Sequence, residues 1–134
     1  EATGDMFGGN SNWRGPIWFP MNYLILDSLE KFSSYYGNEY EVEFPTNSGE
    51  MMSIKQAAEG VSKRLLSLFI PDANKKIPMY GEYEKFQKDP IFNKNHLFFE
   101  YFDGDTGKGL GANHQTGWTG LISEIIRQLY VKPE

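Results

Sequence analysis

Three stretches of the sequence place apolar residues three or four positions apart, the spacing that gives an α-helix one buried face. The first stretch covers residues 17–36 and the third covers 117–130. The second begins after Ser53, a residue type that commonly precedes a helix, and runs for about 16 residues. Prolines near the start of the first stretch and Gly37 after its end fit residues that begin and end helices. The sequence therefore predicts a mainly α fold with about three amphipathic helices.

Each predicted helix has an apolar stripe that we expect to pack against the rest of the chain. In the first helix the stripe consists of Trp18, Met21, Ile25, Leu29, Phe32 and Tyr36. In the second it consists of Ile54, Ala58, Val61, Leu65 and Leu68. In the third it consists of Leu121, Ile125, Ile126 and Leu129.

The segments between these helices predict one small β-hairpin and long aromatic loops. Residues 40–44 alternate between apolar and acidic side chains, and residues 45–49 contain the Pro, Asn and Gly of a turn before a second short strand at 50–52. Residues 75–95 have no clear period, and residues 103–116 form a glycine-rich segment that we interpret as a loop. The whole of 1–134 is expected to form a single unit.

Composition and charge exclude several classes of function. The net charge is −5, and the 13 Lys and Arg residues form no long run, which argues against a nucleic-acid partner. No apolar stretch approaches the roughly 20 residues of a membrane span, so we expect no membrane partner and take the cytoplasm as the default location. Cysteine is absent, and His96 and His114 are too few to indicate a metal site. The glycines at 107, 109 and 111 match neither a dinucleotide nor a phosphate-binding motif, so no cofactor is expected.

The segment Trp13-Arg14-Gly-Pro-Ile-Trp18 is the first candidate for binding chemistry. It places a guanidinium, which suits carboxylates or neighbouring hydroxyls, beside indole rings just ahead of the first helix. The alternative is structural, because tryptophans are often buried and arginines often pair with carboxylates. The sequence alone leaves both interpretations open.

Glu100 is the second candidate, because it is the one carboxylate within the apolar run 97–102. Burial among aromatic rings disfavours the charged form of a carboxylate, which is how many enzymes prepare a general acid or base. In an extended strand Phe98, Glu100 and Phe102 would share a side. A solvent-facing glutamate or a structural ion pair, for instance with Arg14, is the competing interpretation.

Taken together, three segments of the chain resemble glycoside hydrolase family 63, the family of processing α-glucosidases and their bacterial relatives. They are residues 8–24, which contain Trp-Arg-Gly-Pro-Ile-Trp, residues 99–105, which contain Phe-Glu-Tyr-Phe-Asp-Gly-Asp, and residues 109–121, which contain Gln-Thr-Gly-Trp-Thr-Gly. The resemblance implies that the chain is part of an (α/α)6 toroid. It also implies an inverting α-glycoside hydrolase in which two carboxylic residues share the work.

The resemblance assigns roles to particular residues. Glu100 matches the Glu-Tyr motif that carries the general base of the family. Trp13, Arg14 and Trp118 would line the sugar pocket, with Gln115 and Asn22 as further hydroxyl partners. The expected partner is an α-glycoside or an oligosaccharide.

The general acid of the family precedes the Trp-Arg-Gly-Pro motif by a long stretch, and only twelve residues precede Trp13 here. We therefore expect the chain to be the C-terminal part of a larger catalytic domain and to be inactive by itself. Apolar helix faces that the rest of the toroid would cover are expected to be exposed and to favour self-association. The alternatives are a non-catalytic carbohydrate-binding module and a purely structural helical domain.

Overall fold

Helices and short strands alternate in the computed structural model, which describes residue 13 and residues 15–131. The helices are α1 (Phe19–Tyr36), α2 (Ile54–Ser67), α3 (Glu84–Lys88), α4 (Pro90–Lys94), α5 (Thr116–Thr119) and α6 (Ile122–Tyr130). The strands are β1 (Glu41–Glu43), β2 (Met51–Ser53), β3 (Phe99–Phe102) and β4 (Gly109–Asn113). Arg14, one of the predicted sugar-binding residues, lies outside the described residues.

The ends of the two long helices follow from local chemistry that the sequence predicts. Gly37 has φ 73° and its N–H donates to the Ser33 carbonyl, which ends α1 in a conformation that favours glycine. Ser53 accepts a hydrogen bond from the Gln56 N–H, and the Gln56 side chain accepts one from the Ser53 N–H. This capping box satisfies two backbone donors at the start of α2.

The buried face of α1 differs from the predicted stripe. Phe19 and Leu26 are buried, and α1 packs on α2 through this side. Four of the six predicted stripe residues are exposed instead: Met21, Ile25, Phe32 and Tyr36. Apolar residues occur around most of the helix, so the spacing alone could not identify which side faces the rest of this chain.

The predicted third helix is two helices, because the chain turns between α5 and α6. At Gly120 a Cβ atom would lie 2.2 Å from the Thr116 carbonyl oxygen, so the turn requires glycine. Ile122 and Ile125 are buried, whereas Ile126 is 38% exposed, so the prediction that Ile126 lies in the core was wrong. The aromatic segment 75–95, predicted as irregular, contains α3, α4 and a turn of 3-10 helix at Pro78–Tyr80.

Two separate antiparallel hairpins replace the single one that was predicted. In the first, Glu41, Val42 and Glu43 pair with Ser53, Met52 and Met51. In the second, β3 pairs with β4, so that part of the predicted glycine-rich loop is a strand. The fold of the described residues is therefore mixed α and β, with the longest helices as predicted, and the toroid stays a prediction.

Two groups of buried apolar side chains support the second hairpin. The main core joins α1, α2 and α6 with Tyr80, Phe99 and Phe102. A smaller cluster consists of Trp18, Tyr101 and Leu110, with Trp118 packed against it. None of the helices in the described part of the chain is long and apolar enough to cross a membrane.

Candidate active site

Strand β3 holds the first of the three motif segments by backbone hydrogen bonds. The Ile17 N–H donates to the Phe102 carbonyl at 2.7 Å, and the Phe102 N–H donates to the Ile17 carbonyl at 3.0 Å. The turn after β3 also lies against this segment: a Cβ at Gly104 would be 2.4 Å from the Gly15 carbonyl oxygen. Trp18 is thereby fixed next to β3.

The third motif segment is attached to the start of the same strand. The Gln115 N–H donates to the Phe98 carbonyl at 2.6 Å. The buried hydroxyl of Thr119, on α5, donates to the Phe99 carbonyl. The first segment, which lies about 80 residues before β3 in the sequence, and the third segment, which continues from β4 into α5, therefore meet at β3, and this convergence defines the candidate site.

Glu100 lies in the middle of β3 and is half-buried. Its carboxylate oxygen Oε2 accepts a hydrogen bond from the Ala112 N–H on β4 at 3.0 Å. Within residues 15–131, Oε1 accepts no further hydrogen bond. The carboxylate thus has one oxygen held by the backbone and one oxygen left for another partner.

Tyr101, the residue that follows Glu100 on β3, belongs to a stack of aromatic rings. Trp18 is stacked on Tyr101 with ring centroids 4.5 Å apart, and Trp13 is stacked on the ring of Trp18 at 4.7 Å. Trp118 is tilted against both tryptophans, at 5.5 Å from Trp13 and 5.6 Å from Trp18. Trp18 is buried, whereas Trp13 is 46% exposed and presents a ring to solvent. Two of the predicted sugar-binding residues, Trp13 and Trp118, are therefore brought together.

Buried Trp18 also has a polar atom that stays unpaired. Its indole Nε1–H finds no acceptor among the described residues. Most buried donors in proteins have a partner, so an orphaned donor next to a cluster of rings is consistent with a binding site.

Asn22 and Gln115 are placed differently from the rings. The Asn22 Nδ2 donates to the Trp18 carbonyl at 2.9 Å, so this amide binds the backbone of Trp18 at the start of α1. Gln115 is exposed, and its backbone carbonyl accepts from Trp118 and Thr119 at the start of α5. The Gln115 side chain is exposed and could contact a ligand, whereas the Asn22 side-chain NH2 group already donates a hydrogen bond to the backbone.

The histidine and acidic side chains of the described residues do not cluster. No group of three or more His, Asp or Glu side chains among them could hold a metal ion. His96 is half-buried and contacts the Phe69 ring. His114 is stacked on Phe98 with ring centroids 5.7 Å apart, so each histidine packs against a different phenylalanine.

The model of the mannosylglycerate hydrolase MGH1-like glycoside hydrolase domain matches residues 1–119. The chain belongs to this family. The match confirms the resemblance to glycoside hydrolase family 63 on which the sequence-based assignment depends. No solved structure matches the chain.

Relatives of this glycoside hydrolase domain include named enzymes. The chain is 50% identical to an uncharacterized protein of Saccharomyces cerevisiae over 94% of its own length and 12% of that protein. It is 29% identical to the mannosyl-oligosaccharide glucosidase of the same yeast over 91% of the chain and 12% of the enzyme. A probable mannosyl-oligosaccharide glucosidase of Schizosaccharomyces pombe is 30% identical over 91% of the chain and 12% of its length. The chain therefore spans about an eighth of the length of the curated relatives it matches.

Sequence reasoning missed three residues that build the site in this glycoside hydrolase domain. Tyr101 carries the stack of rings, Ala112 supplies the N–H to Glu100, and Thr119 joins α5 to β3. The Asp-Gly pair at the start of the glycine-rich segment is a hairpin signal that would have indicated a return strand. No sequence signal marks the Thr119 contact, because it joins residues 20 positions apart through a side chain.

Proposed function

We propose that this domain contributes the general base to an enzyme that hydrolyses an α-glycoside, of the glucosidase type, with inversion at the anomeric carbon. Glu100 is that base. Two curated relatives have glucosidase names, which supports a glycoside hydrolase, and the Glu-Tyr motif at residues 100–101 supports the role of Glu100.

One observation carries the proposal. The Glu100 carboxylate accepts a hydrogen bond from a backbone N–H of β4, and Glu100 itself lies on β3, the strand at which both tryptophan-bearing segments are hydrogen-bonded. A base must have its carboxylate in a defined position next to the bound substrate, and Oε1 has no protein partner in residues 15–131 that would compete for a water molecule. A solvent-facing structural glutamate would not require this arrangement.

The reaction balances with one water and two carboxyl groups. Glu100 Oε1 takes a proton from water while the water oxygen bonds to the anomeric carbon from the face opposite the leaving group. The glycosidic C–O bond breaks, and a second carboxylic acid gives its proton to the departing oxygen. Inverting enzymes keep the two carboxyl groups about 6.5–9.5 Å apart to leave room for the water.

The sugar would bind against the rings beside Glu100. The exposed face of Trp13 offers a platform for a sugar ring, and Trp118 encloses it from one side. The exposed side-chain amide of Gln115 is a donor suited to sugar hydroxyls. Arg14 would complete the pocket and would favour substrates that carry a carboxylate.

The second carboxylic acid belongs, in this proposal, to sequence outside the 134 residues. The domain matches 12% of each named relative, and the residues that precede Trp13 contain no counterpart of the family's acid motif. The 134-residue chain alone is then a C-terminal part of the catalytic domain and is inactive.

The test compares the 134-residue chain with the longest natural polypeptide that includes it. Only the longer protein should hydrolyse aryl α-glucosides, and proton NMR of the first product should detect the β-anomer. Glu100→Gln should lower its kcat about a hundred- to ten-thousandfold, the usual contribution of a general base. Asp105→Asn, which alters an exposed carboxylate in the turn of the same hairpin, is the matched control and should retain activity. Turnover by the short chain, or an active Glu100→Gln enzyme, would refute the proposal.

Azide distinguishes a base from a residue that only binds sugar. In Glu100→Ala the space left by the carboxylate admits azide, which needs no deprotonation, and a β-glycosyl azide should form from an α-glycoside. Such rescue requires that the missing group activated the nucleophile.

A non-catalytic sugar-binding role is the second candidate, favoured by the 46% exposed ring of Trp13 on its stack. It predicts saturable quenching of tryptophan fluorescence by oligosaccharides in the 134-residue chain. This binding would be unaffected by Glu100→Gln and abolished by Trp13→Ala.

A further inference from the structure

The second hairpin contains a β-bulge directly opposite Glu100. Phe99 pairs with Asn113, and Tyr101 pairs with Leu110. One residue on β3, Glu100, therefore faces two residues on β4, which are Gly111 and Ala112. Gly111 has φ 70°, the left-handed conformation that defines the glycine-led type of bulge.

The bulge supplies the hydrogen bond to the carboxylate. An extra residue leaves the regular ladder of backbone bonds, and its N–H becomes free to meet a side chain. Here the Ala112 N–H donates to Glu100 Oε2 at 3.0 Å. A regular strand would have used this N–H in pairing with β3.

Gly111 is required by space as well as by its backbone conformation. A Cβ at this position would lie 2.5 Å from Glu100 Oε2 and 2.7 Å from the Tyr101 ring atom Cε1. Any side chain would therefore displace the carboxylate or the ring that carries the tryptophan stack. The glycine lets the backbone of β4 approach Glu100 closely.

We propose that the bulge at Gly111 and Ala112 positions the base: it fixes Oε2 and turns Oε1 toward the water that attacks the sugar. Gly111 and Ala112 are positioning residues, since they act through Glu100 and touch no reacting atom. The inference rests on the proposed function, because it assigns the bulge to the same carboxylate. Bulges next to active sites commonly redirect a side chain in this way.

Two kinds of variant test the inference in the longest natural polypeptide that includes the chain. Gly111→Ala introduces the Cβ beside the carboxylate. Gly49→Ala is its matched control, because Gly49 also has a positive φ of 74° but has nothing within 4 Å of an added Cβ. Both variants place an alanine at a positive φ, and only Gly111→Ala adds an atom beside Glu100.

The second variant keeps every side chain and removes the hydrogen-bond donor to Glu100. Lactic acid in place of Ala112, introduced as an α-hydroxy acid, replaces the N–H with an ester oxygen. If Gly111→Ala does not fold, this variant tests whether the Ala112 N–H positions Glu100. Retained tryptophan fluorescence shows that the ring stack is intact.

We expect kcat to fall about ten- to hundredfold in Gly111→Ala and in the ester variant, with KM changed less than twofold. Gly49→Ala should keep its kcat. In the 134-residue chain, hydrogen exchange of the Ala112 amide should accelerate about tenfold or more in Glu100→Ala, because the amide loses its acceptor.

The outcomes separate the inference from the proposed function. If Glu100→Gln is inactive and the ester variant has normal kcat, the bulge does not position the base, and the proposed function stands. If Glu100→Gln is active, both are overturned. A rise in KM with unchanged kcat would also overturn the inference, because it would assign the bulge to substrate binding.

Discussion

We expect Gln87, on α3, to contribute strongly to the free energy of unfolding, because it binds the backbone of the segment 77–81 on both sides. Its Oε1 accepts from the Ile77 N–H at 2.9 Å, and its Nε2 donates to the Ile77 carbonyl at 2.9 Å and the Gly81 carbonyl at 3.0 Å. These bonds close the segment that contains Met79 and Tyr80, both fully buried in the main core. One half-buried amide therefore holds a segment that contributes two fully buried side chains to the main core.

Gln87→Leu keeps the approximate size of the side chain and leaves the Ile77 N–H and the Gly81 carbonyl without partners among the described residues, while the Ile77 carbonyl keeps the Tyr80 N–H. Each hydrogen bond contributes about 1 kcal/mol net, and a buried group left unsatisfied costs about 1–3 kcal/mol. Because Gln87 is half-buried and water reaches part of the segment, we expect the free energy of unfolding to fall by about 2–4 kcal/mol. Gln128→Leu, which alters an exposed glutamine on α6, should change it by less than about 0.5 kcal/mol.

Gln87→Glu adds a pH dependence with a definite sign. A carboxylate at this position would face two carbonyl oxygens, so the folded state should favour the protonated acid, which can donate to one of them. The pKa of the introduced group would then be raised on folding above its ordinary value of about 4.3. Stability should be greatest below that ordinary pKa and should fall as the pH rises through the folded pKa.

Urea denaturation followed by tryptophan fluorescence at several pH values measures all three variants. The expected order of stability at pH 7 is wild type and Gln128→Leu together, with Gln87→Leu and Gln87→Glu well below. A Gln87→Leu midpoint equal to that of the wild type would refute the reasoning, because it would mean that water replaces the amide at no cost.

Two further predictions concern the pH dependence of stability and the self-association of the chain. Burial lowers the pKa of His96 below its ordinary value of 6.5, so the unfolded chain binds the proton more tightly. The free energy of unfolding should therefore fall as the pH drops below about 6.5, and His96→Gln should flatten this slope in urea titrations. The exposed apolar side of α1 should cause concentration-dependent association, which light scattering detects and which Leu24→Lys with Ile25→Lys should abolish, since these residues are 58% and 50% exposed. A monomer at all concentrations, or association unchanged in the double variant, would contradict this.

Helix ends were predictable from the sequence because they depend on neighbours in the chain. The Ser53 cap and the Gly37 stop involve residues within four positions of each other, and both are present. The buried side of α1 depends on what packs there, which no local pattern specifies. For a helix with apolar residues on several sides, periodicity predicts the helix and leaves its orientation undetermined.

The candidate site was predictable in its residue types and not in its geometry. Glu100 and the tryptophans attract notice because a carboxylate among rings and a Trp-Arg-Gly-Pro segment are unusual. Their meeting depends on the bridge between Ile17 and Phe102 and on the register of β3 with β4. Both are long-range pairings that a single sequence does not encode in any short pattern.

The division of the core into two clusters explains how Glu100 can be both fixed and accessible. Its neighbours on β3 anchor the strand in different places: Phe99 and Phe102 lie in the main core, and Tyr101 lies in the cluster with Trp18. The backbone of the strand is therefore held on both sides of Glu100 by buried rings, and the carboxylate itself does not have to be buried to be rigid. Loosening either cluster should therefore disturb Glu100 without a direct contact to its side chain.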